Sequence, residues 1–287
     1  MKYITSRANA LVRCALALNS KKGRDKNDAF LIEGFILIDE ALRAGLEIEQ
    51  IFVRGGAEPS AAGSETAAWL ASAEGCCEDI CSKVAEPLKT ARPIALAENI
   101  FDEIAGTVTP QGVMAVVKKP RAAGLEEVLF HASSILVMDR IQDPGNAGTL
   151  IRTAFASGIA AVVCVNGTVD IFSPKVVRSA AGAIFRMPIV PQVGAAEIIA
   201  ALSDAGFSLK AMDMRGGKAY SDADLTGRVA IAVGNESGGL SAEFAAAADE
   251  IVNIPMRDGA ESLNAAIAAG IVMYERNRQE KQVQGEA

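Results

Sequence analysis

Short apolar segments alternate with longer amphipathic ones from about residue 133 onward. The apolar segments, rich in β-branched residues, are predicted to be strands at 135–139, 161–165, 187–190, 207–212, 229–233 and 251–254. The segments between them have helical spacing and are predicted to be helices at 147–157, 173–181, 195–205, 242–247 and 263–277. Strands that alternate with helices in this way form a parallel sheet with helices on both faces.

The first part of the chain has a sparser pattern of the same kind. Strands are predicted at 29–33, 48–54 and 112–117, and helices at 35–44, 64–73 and 85–90. Between the two parts, Pro120 and Gly124 lie among three cations, a composition typical of a linker. We therefore predict a smaller α/β domain at residues 1–118, a linker at 119–132 and a second α/β domain at 133–287.

Charge is distributed unevenly along the chain. The 287 residues include 28 Lys and Arg against 35 Asp and Glu, and the net charge of −7 argues against nucleic-acid binding over the whole surface. Residues 1–27, in contrast, have Asp25 as their single acid among the bases Lys2, Arg7, Arg13, Lys21, Lys22, Arg24 and Lys26. A basic arm of this kind can bind the phosphates of a polyanion. A solvated helix face is the alternative.

Several classes of protein are excluded by the composition. His131 is the only histidine, which excludes zinc hydrolases with an H-E-x-x-H motif, and it has no neighbours typical of a catalytic triad, so a surface or helix-end position is expected. No dinucleotide fingerprint, phosphate loop, targeting segment or membrane span is found in the sequence. The cysteines lack paired C-x-x-C spacing, which predicts reduced thiols and a cytoplasmic location: Cys14, Cys76, Cys77, Cys81 and Cys164.

Polar, glycine-rich loops follow three of the predicted strands of the second domain. They occupy residues 143–148, 234–239 and 255–259, and the third leads to Ser262, Leu263 and Asn264. Ligands bind beyond the carboxyl ends of parallel strands, so these loops are expected to converge on one crevice. Glycine allows the backbone to approach a ligand closely. Any one of these loops, taken alone, could be a tight turn.

The three loops resemble the signature motifs of the SpoU (TrmH-like) family of RNA ribose 2′-O-methyltransferases. In chain order the matching residues are Asn146-x-Gly148-x-x-x-Arg152, Gly234-x-Glu236-x-x-Gly239, and Ile254-Pro255-Met256 followed by Ser262-Leu263-Asn264. Residues 30–34, 41–42 and 109–113 resemble the substrate-binding domain of the ribosomal-RNA branch of this family. The resemblance therefore extends over nearly the whole chain.

This resemblance implies a fold, a cofactor and partners. It implies a catalytic domain with a parallel sheet and a C-terminal deep trefoil knot, preceded by a smaller α/β RNA-binding domain. It also implies S-adenosylmethionine as cofactor, a homodimer without metal, and RNA as substrate, with 23S ribosomal RNA preferred. Transfer RNA, a small molecule or protein, and a non-catalytic RNA-binding role remain alternatives. The candidate RNA contacts are Arg7, Arg13, Lys21, Lys22 and Arg24.

The resemblance also assigns the cofactor contacts. Gly234, Ile254 and Leu263 correspond to backbone contacts to S-adenosylmethionine. Met212 and Met256 are expected beside its apolar parts, with core packing as the alternative for both methionines. The last predicted helix is apolar almost all round, which fits either a dimer interface or burial within one chain.

Arg152 takes the central catalytic role that the resemblance implies. Because arginine stays protonated, we expect Arg152 to hold the target phosphate or to stabilise the developing alkoxide. Asn146 and Asn264 are expected to orient the loops or the ribose, and Glu236 to fix Arg152 or a backbone amide. Ser262 is expected to cap the last helix, to take part in catalysis, or both.

Overall fold

The computed structural model describes residues 2–55, 93–259 and 262–285. It divides into two compact units, the first formed by Met1–Pro120 with Phe172–Arg178 and the second by Arg121–Ile171 with Ser179–Ala287. The helices predicted at 64–73 and 85–90 lie outside the described residues, as do Cys76, Cys77 and Cys81.

The first unit contains a five-stranded mixed sheet. Its strands are β1 (Lys2–Ile4), β2 (Ala29–Glu33), β3 (Ile48–Gly55), β4 (Ile94–Ala97) and β5 (Val113–Lys118), in the order β1-β4-β3-β5-β2. Strand β5 is antiparallel to β2 and β3, whereas β4 is parallel to β1 and β3. The helices described in this part are α1 (Ala10–Ala17), α2 (Lys21–Asn27), α3 (Phe35–Arg43) and α4 (Glu98–Ala105).

The basic N-terminal residues are part of the folded first unit and do not form a separate arm. Val12 and Ala15 of α1 are buried in the same cluster as Phe52 of β3 and Phe101 of α4. Helix α2 begins at a cap, because Ser20 Oγ accepts a hydrogen bond from Gly23 N at 3.1 Å. These helices bury one face and expose most of their cations on the other, and binding of phosphates by this basic stretch stays a prediction.

The first unit also includes residues 172–178, which the sequence pattern placed in the second domain. The ring of Phe172 packs against that of Phe30, with ring centroids 4.9 Å apart. Lys119 Nζ lies 5.5 Å from the centroid of the Phe172 ring. Spatial contacts rather than chain order therefore define the first unit.

The second unit contains a seven-stranded sheet in which all strand pairs are parallel. Its strands are β6 (Ser134–Met138), β7 (Ala161–Val165), β8 (Ile189–Val193), β9 (Ser208–Met212), β10 (Lys218–Ala219), β11 (Val229–Val233) and β12 (Glu250–Asn253), in the order β10-β12-β9-β11-β6-β7-β8. Strands β6 and β11 are buried along their whole length at the centre of the sheet, as expected for strands covered on both faces. The predicted parallel α/β sheet is confirmed.

Helices connect these parallel strands. They are α5 (Leu125–His131), α6 (Pro144–Ala156), α7 (Pro174–Ala180), α8 (Ala195–Asp204), α9 (Ala242–Ala247) and α10 (Ala265–Gln284). Helix α5 lies within the predicted linker at 119–132, and its Val128 and Leu129 are buried in the main core. The linker prediction is therefore wrong for residues 125–131, because their apolar side chains have helical spacing and pack into the core of the second unit. None of the helices in the described ranges is long and apolar enough to cross a membrane.

Candidate active site

A cavity of about 480 Å³ lies at the carboxyl ends of β9, β11 and β12. The loops that follow these strands and the beginning of α10 form its walls. The loop at 234–239 and residues 254, 256 and 262–264 contribute directly, whereas the segment predicted as a loop at 143–148 forms the start of α6, from which Asn146 reaches Glu236. The size of the cavity and its mixture of apolar side chains and polar groups are typical of a site for a small organic ligand.

All five residues predicted to contact a cofactor line this cavity. They are Met212, Gly234, Ile254, Met256 and Leu263. Both methionines are half-buried and line the cavity, so neither is a fully buried core residue. Leu263 is 41% exposed, which leaves the residue accessible to a ligand.

Gly234 cannot be replaced by a larger residue without moving the backbone. A Cβ atom at this position would lie 2.2 Å from both Gly239 C and Leu240 N. The loop closes on itself just beyond this point, since Asn235 N donates to Gly239 O and Gly239 N donates to Asn235 O, at 3.0 and 2.8 Å. Glycine is therefore required here for close packing of the backbone, which creates one wall of the cavity.

Three predicted site residues form a chain of hydrogen bonds. Asn146 Nδ2 donates to Glu236 Oε1 at 2.7 Å, and Asn264 Nδ2 donates to Asn146 Oδ1 at 2.8 Å. The structure thus brings together residues from all three motifs. Glu236 is held by Asn146, and the expected contact between Glu236 and Arg152 is not formed.

Helix caps position two of these hydrogen-bonded residues, Asn146 and Asn264. Asp143 caps α6 by accepting a hydrogen bond from Asn146 N at 2.8 Å, and Pro144 occupies the first turn, where its missing N–H costs nothing. Asn264 caps α10, because its Oδ1 accepts from Ala266 N and Ile267 N. The predicted capping role of Ser262 is therefore wrong, since the helix begins later; Ser262 lines the cavity instead.

Arg152 is exposed on α6, six residues beyond Asn146. Its guanidinium makes no hydrogen bond or ion pair with any residue that the structure describes, and it does not line the cavity of its own chain. Within the part of the chain that the structure describes, no residue therefore uses its donors.

Asp213 and Arg215 form an ion pair at the cavity that the sequence analysis did not single out. Arg215 Nε and Nη2 donate to the two carboxylate oxygens of Asp213 at 3.2 and 3.0 Å. The hydrogen bond from the Arg215 side chain lowers the pKa of Asp213 and raises the pKa of Arg215. The available signal was an Asp-x-Arg sequence directly after β9.

The predicted RNA contacts differ in exposure. Arg13, Lys21 and Lys22 are exposed on α1 and α2, and Arg7 is exposed but paired with Glu103. Arg24 is only 3% exposed, and its Nη1 donates to Leu18 O at 2.7 Å. The prediction for Arg24 is therefore wrong, because its guanidinium is buried and hydrogen-bonds to the turn between α1 and α2.

The fold and this site define the general class of the protein. Its second unit is a parallel α/β fold with a cavity of mixed apolar and polar lining at the carboxyl ends of the strands, the place where such sheets bind small organic ligands. His, Cys, Asp and Glu side chains form no cluster of three or more within the described ranges that could hold a metal ion.

Comparisons with known proteins identify the family. Residues 133–274 match the SpoU rRNA Methylase family, and residues 9–115 match the MRM3-like substrate binding domain. The 23S rRNA (guanosine(2553)-2'-O)-methyltransferase RlmP of Bacillus subtilis is 34% identical over 96% of this chain and 98% of its own length. The 23S rRNA (uridine(2479)-2'-O)-methyltransferase of Streptomyces viridochromogenes is 30% identical over 97% and 92%. The chain therefore belongs to the SpoU rRNA methylase family.

Solved structures agree with this assignment. The AdoMet-bound rRNA methyltransferase from Sinorhizobium meliloti superposes with a TM-score of 0.79 at 30% identity, covering 97% of this chain and 98% of the other. The SpoU methyltransferase AviRb from Streptomyces viridochromogenes superposes with a TM-score of 0.75 at 26% identity, covering 96% and 98%. The resemblance inferred from the three motifs is thereby confirmed.

Proposed function

We propose that the protein transfers a methyl group from S-adenosylmethionine to a ribose 2′-hydroxyl of ribosomal RNA, with 23S rRNA as its substrate. The observation that carries this function is the hydrogen-bonded chain of Asn146, Glu236 and Asn264 beside the cavity, which joins residues of all three family motifs. The two long relatives named above are both 23S rRNA 2′-O-methyltransferases, and both match nearly the whole chain.

The residues of the cavity fit S-adenosylmethionine. Met212, Ile254 and Met256 offer apolar surface for the adenine and the methionine chain, and Gly234 lets the opposing loop backbone pack closely as one wall of the cavity. A lining of this kind, without a phosphate loop, suits a cofactor that has no phosphate groups. S-adenosylmethionine supplies, when bound, a sulfonium methyl group that an oxygen nucleophile can displace.

The chain's own residues have to position the ribose and stabilise charge on its oxygen. A 2′-hydroxyl that attacks a sulfonium methyl group would lose its proton to solvent, while the electron pair of the broken methyl–sulfur bond would go to sulfur. Partial negative charge on the ribose oxygen would therefore need stabilisation by this chain's residues. Arg152, which has no partner among the described residues, is suited as a cation with several donors to hold the adjacent phosphate or to stabilise this oxygen. Asn146, Asn264 and Ser262 are hydrogen-bonding groups that can orient the ribose, while Glu236 anchors Asn146.

We also propose that two copies of the chain form a homodimer through α6 and α10. These helices pack against each other and leave apolar side chains exposed: Phe155, Ile267 and Tyr274 are 42%, 57% and 53% exposed. Arg152 precedes Phe155 by about one helical turn, so the same face carries a guanidinium that has no partner among the described residues. In the dimer, Arg152 reaches the cavity of the partner subunit, which explains why it does not line its own.

The knot is part of the proposal as well. The C-terminal part of the chain forms the deep trefoil knot of the family and encloses the cofactor between the loop at 234–239 and residues 254–256 and 262–264. The support is the family membership, because a knot cannot be deduced from pattern or sheet order.

RNA binding is assigned to the first unit. Arg7, Arg13, Lys21 and Lys22 contact phosphates of the substrate, and residues 9–115 match a substrate binding domain. A cytoplasmic location is proposed together with the ribosomal substrate.

The experiment is methyl transfer with purified protein and radiolabelled S-adenosylmethionine. Transcripts of 23S rRNA, 16S rRNA and tRNA are supplied separately, and the product is digested to nucleosides. Label in a 2′-O-methyl nucleoside of 23S rRNA supports the proposal. Label confined to tRNA contradicts the substrate, and label in a methylated base contradicts the chemistry. A protein that binds cofactor and RNA but transfers no label, even to ribosomal subunits, is a non-catalytic RNA-binding protein.

A further inference from the structure

A carboxylate with no assigned role is buried beside the end of the loop that lines the cavity. Asp139 directly follows β6 and is 0% exposed. Its Oδ2 accepts a hydrogen bond of 2.6 Å from Ser241 N, and its Oδ1 accepts one of 3.1 Å from the Nε of Arg140. Burial of a carboxylate costs free energy unless such partners are present, so its position at this strand end calls for a physical reason.

The neighbouring residue is attached to the other end of the same loop. Arg140 has a φ of +56°, in the left-handed region that a non-glycine residue adopts only rarely. Its carbonyl oxygen accepts a hydrogen bond of 2.8 Å from Asn235 Nδ2. The loop between Gly234 and Ser241 is therefore tied to the strand end twice, once at Asn235 and once at Ser241.

The loop between these two attachments is internally braced. Asn235 Oδ1 accepts hydrogen bonds from Ser237 N at 2.9 Å and from Gly238 N at 3.3 Å, and the Asn235 and Gly239 backbones pair with each other. A braced loop moves as one body. Its position relative to the sheet is then set by the contacts to Asp139 and Arg140, and that position determines where the wall of the cavity and Glu236 lie.

We propose that Asp139 and Asn235 are positioning residues that hold the loop at 234–241 in its cofactor-binding position. Neither side chain is assigned to contact the reacting atoms. Asp139 acts through Ser241, and Asn235 acts through Arg140. This inference rests on the proposed function, because the cofactor whose affinity it concerns is S-adenosylmethionine.

The test compares variants that remove one attachment each. Asp139→Ala leaves Ser241 N without its acceptor, whereas Asp139→Asn retains an oxygen that can accept the same hydrogen bond. Asn235→Asp removes the donor to Arg140 O but keeps acceptors for Ser237 N and Gly238 N. The control is Asp249→Ala, since Asp249 Oδ2 accepts from Leu209 N at 2.8 Å at the opposite edge of the same sheet.

Two measurements are made on each full-length variant. Calorimetry with S-adenosylmethionine is expected to show Kd raised roughly tenfold by Asp139→Ala and by Asn235→Asp, equivalent to about 1.4 kcal/mol. Asp139→Asn is expected to restore most of the affinity, and Asp249→Ala to leave it unchanged. Amide hydrogen exchange without cofactor is expected to speed up across 235–241 in Asp139→Ala and not in Asp249→Ala.

The two readouts separate this inference from the proposed function. If the wild type binds S-adenosylmethionine and both loop variants bind it equally well, the positioning role is wrong. Unchanged exchange at 235–241 in Asp139→Ala contradicts it as well, whether or not cofactor binds. If the wild type itself fails to bind S-adenosylmethionine, the proposed function is overturned, while hydrogen exchange still decides whether Asp139 holds the loop.

Discussion

Replacement of Gly234 by alanine tests whether close backbone packing forms the wall of the cavity proposed to bind the cofactor. The added Cβ would lie 2.2 Å from Gly239 C and from Leu240 N, and 2.4 Å from Gly239 O. Ordinary contact begins at about 3.4 Å, so the opposing backbone has to move by roughly 1 Å. No flexible side chain is available to absorb this overlap, because all of these atoms belong to the backbone.

The cost of the overlap is about 1–3 kcal/mol, as for overpacking in other well-packed sites. If the displaced loop remains folded, its shift changes the shape of the cavity. The affinity for S-adenosylmethionine is then expected to fall about tenfold or more. Isothermal calorimetry measures the affinity, and thermal unfolding reports how much of the strain reaches the whole fold.

The matched control is Gly216→Ala in the neighbouring loop. A Cβ there would meet no atom within 4 Å, and the residue does not line the cavity. We expect Gly216→Ala to bind S-adenosylmethionine like the wild type. Wild-type affinity in Gly234→Ala would refute the reasoning, because the loop would then tolerate a shift that the geometry says it must make.

Three further predictions follow from other parts of the structure. If Arg152 acts in the partner's cavity, equal mixing of inactive Arg152→Ala and Glu236→Ala subunits restores about a quarter of wild-type activity, whereas no recovery means that Arg152 serves its own chain. Gly23→Ala is expected to lower the free energy of unfolding by about 1–3 kcal/mol, since its Cβ would lie 1.9 Å from Ala17 O; an unchanged melting temperature contradicts this. Burial raises the pKa of Cys164 to about 12, so iodoacetamide at pH 8 is expected to spare this thiol in the native protein and to modify it after denaturation, with modification of the native thiol as the contrary result in peptide mass spectrometry.

The parallel sheet was predictable because its strands are continuous apolar segments buried on both faces. Val229–Val233 is one such segment, and its predicted bounds are those of β11. Strand β1 and helix α4 were not predicted. Strand β1 spans only Lys2–Ile4, with two exposed residues, and it gains its structure from pairing with β4, which is distant in sequence.

Contacts between distant parts of the chain account for what the sequence could not specify at the site. Asn146 is 90 residues from Glu236 and 118 from Asn264, so only the resemblance of the three motifs indicated that they belong to one site. Local spacing was also ambiguous for the last helix, where Ser262 and Asn264 are both good capping residues; the structure begins the helix at Ala265. Arg24 is a further example, since a series of cations in the sequence does not reveal which side chain is buried.

The central claim is ribose 2′-O-methylation of large-subunit ribosomal RNA, and nucleoside analysis of cellular RNA tests it most directly. The 23S rRNA is isolated from the source strain, from a strain lacking the gene, and from deletion strains carrying the wild-type gene or the Arg152→Ala variant. Mass spectrometry of the digested RNA is predicted to show one 2′-O-methyl nucleoside that is lost on deletion and restored by the wild type, but not by Arg152→Ala. Identical 2′-O-methylation of 23S rRNA in all four strains would contradict the account.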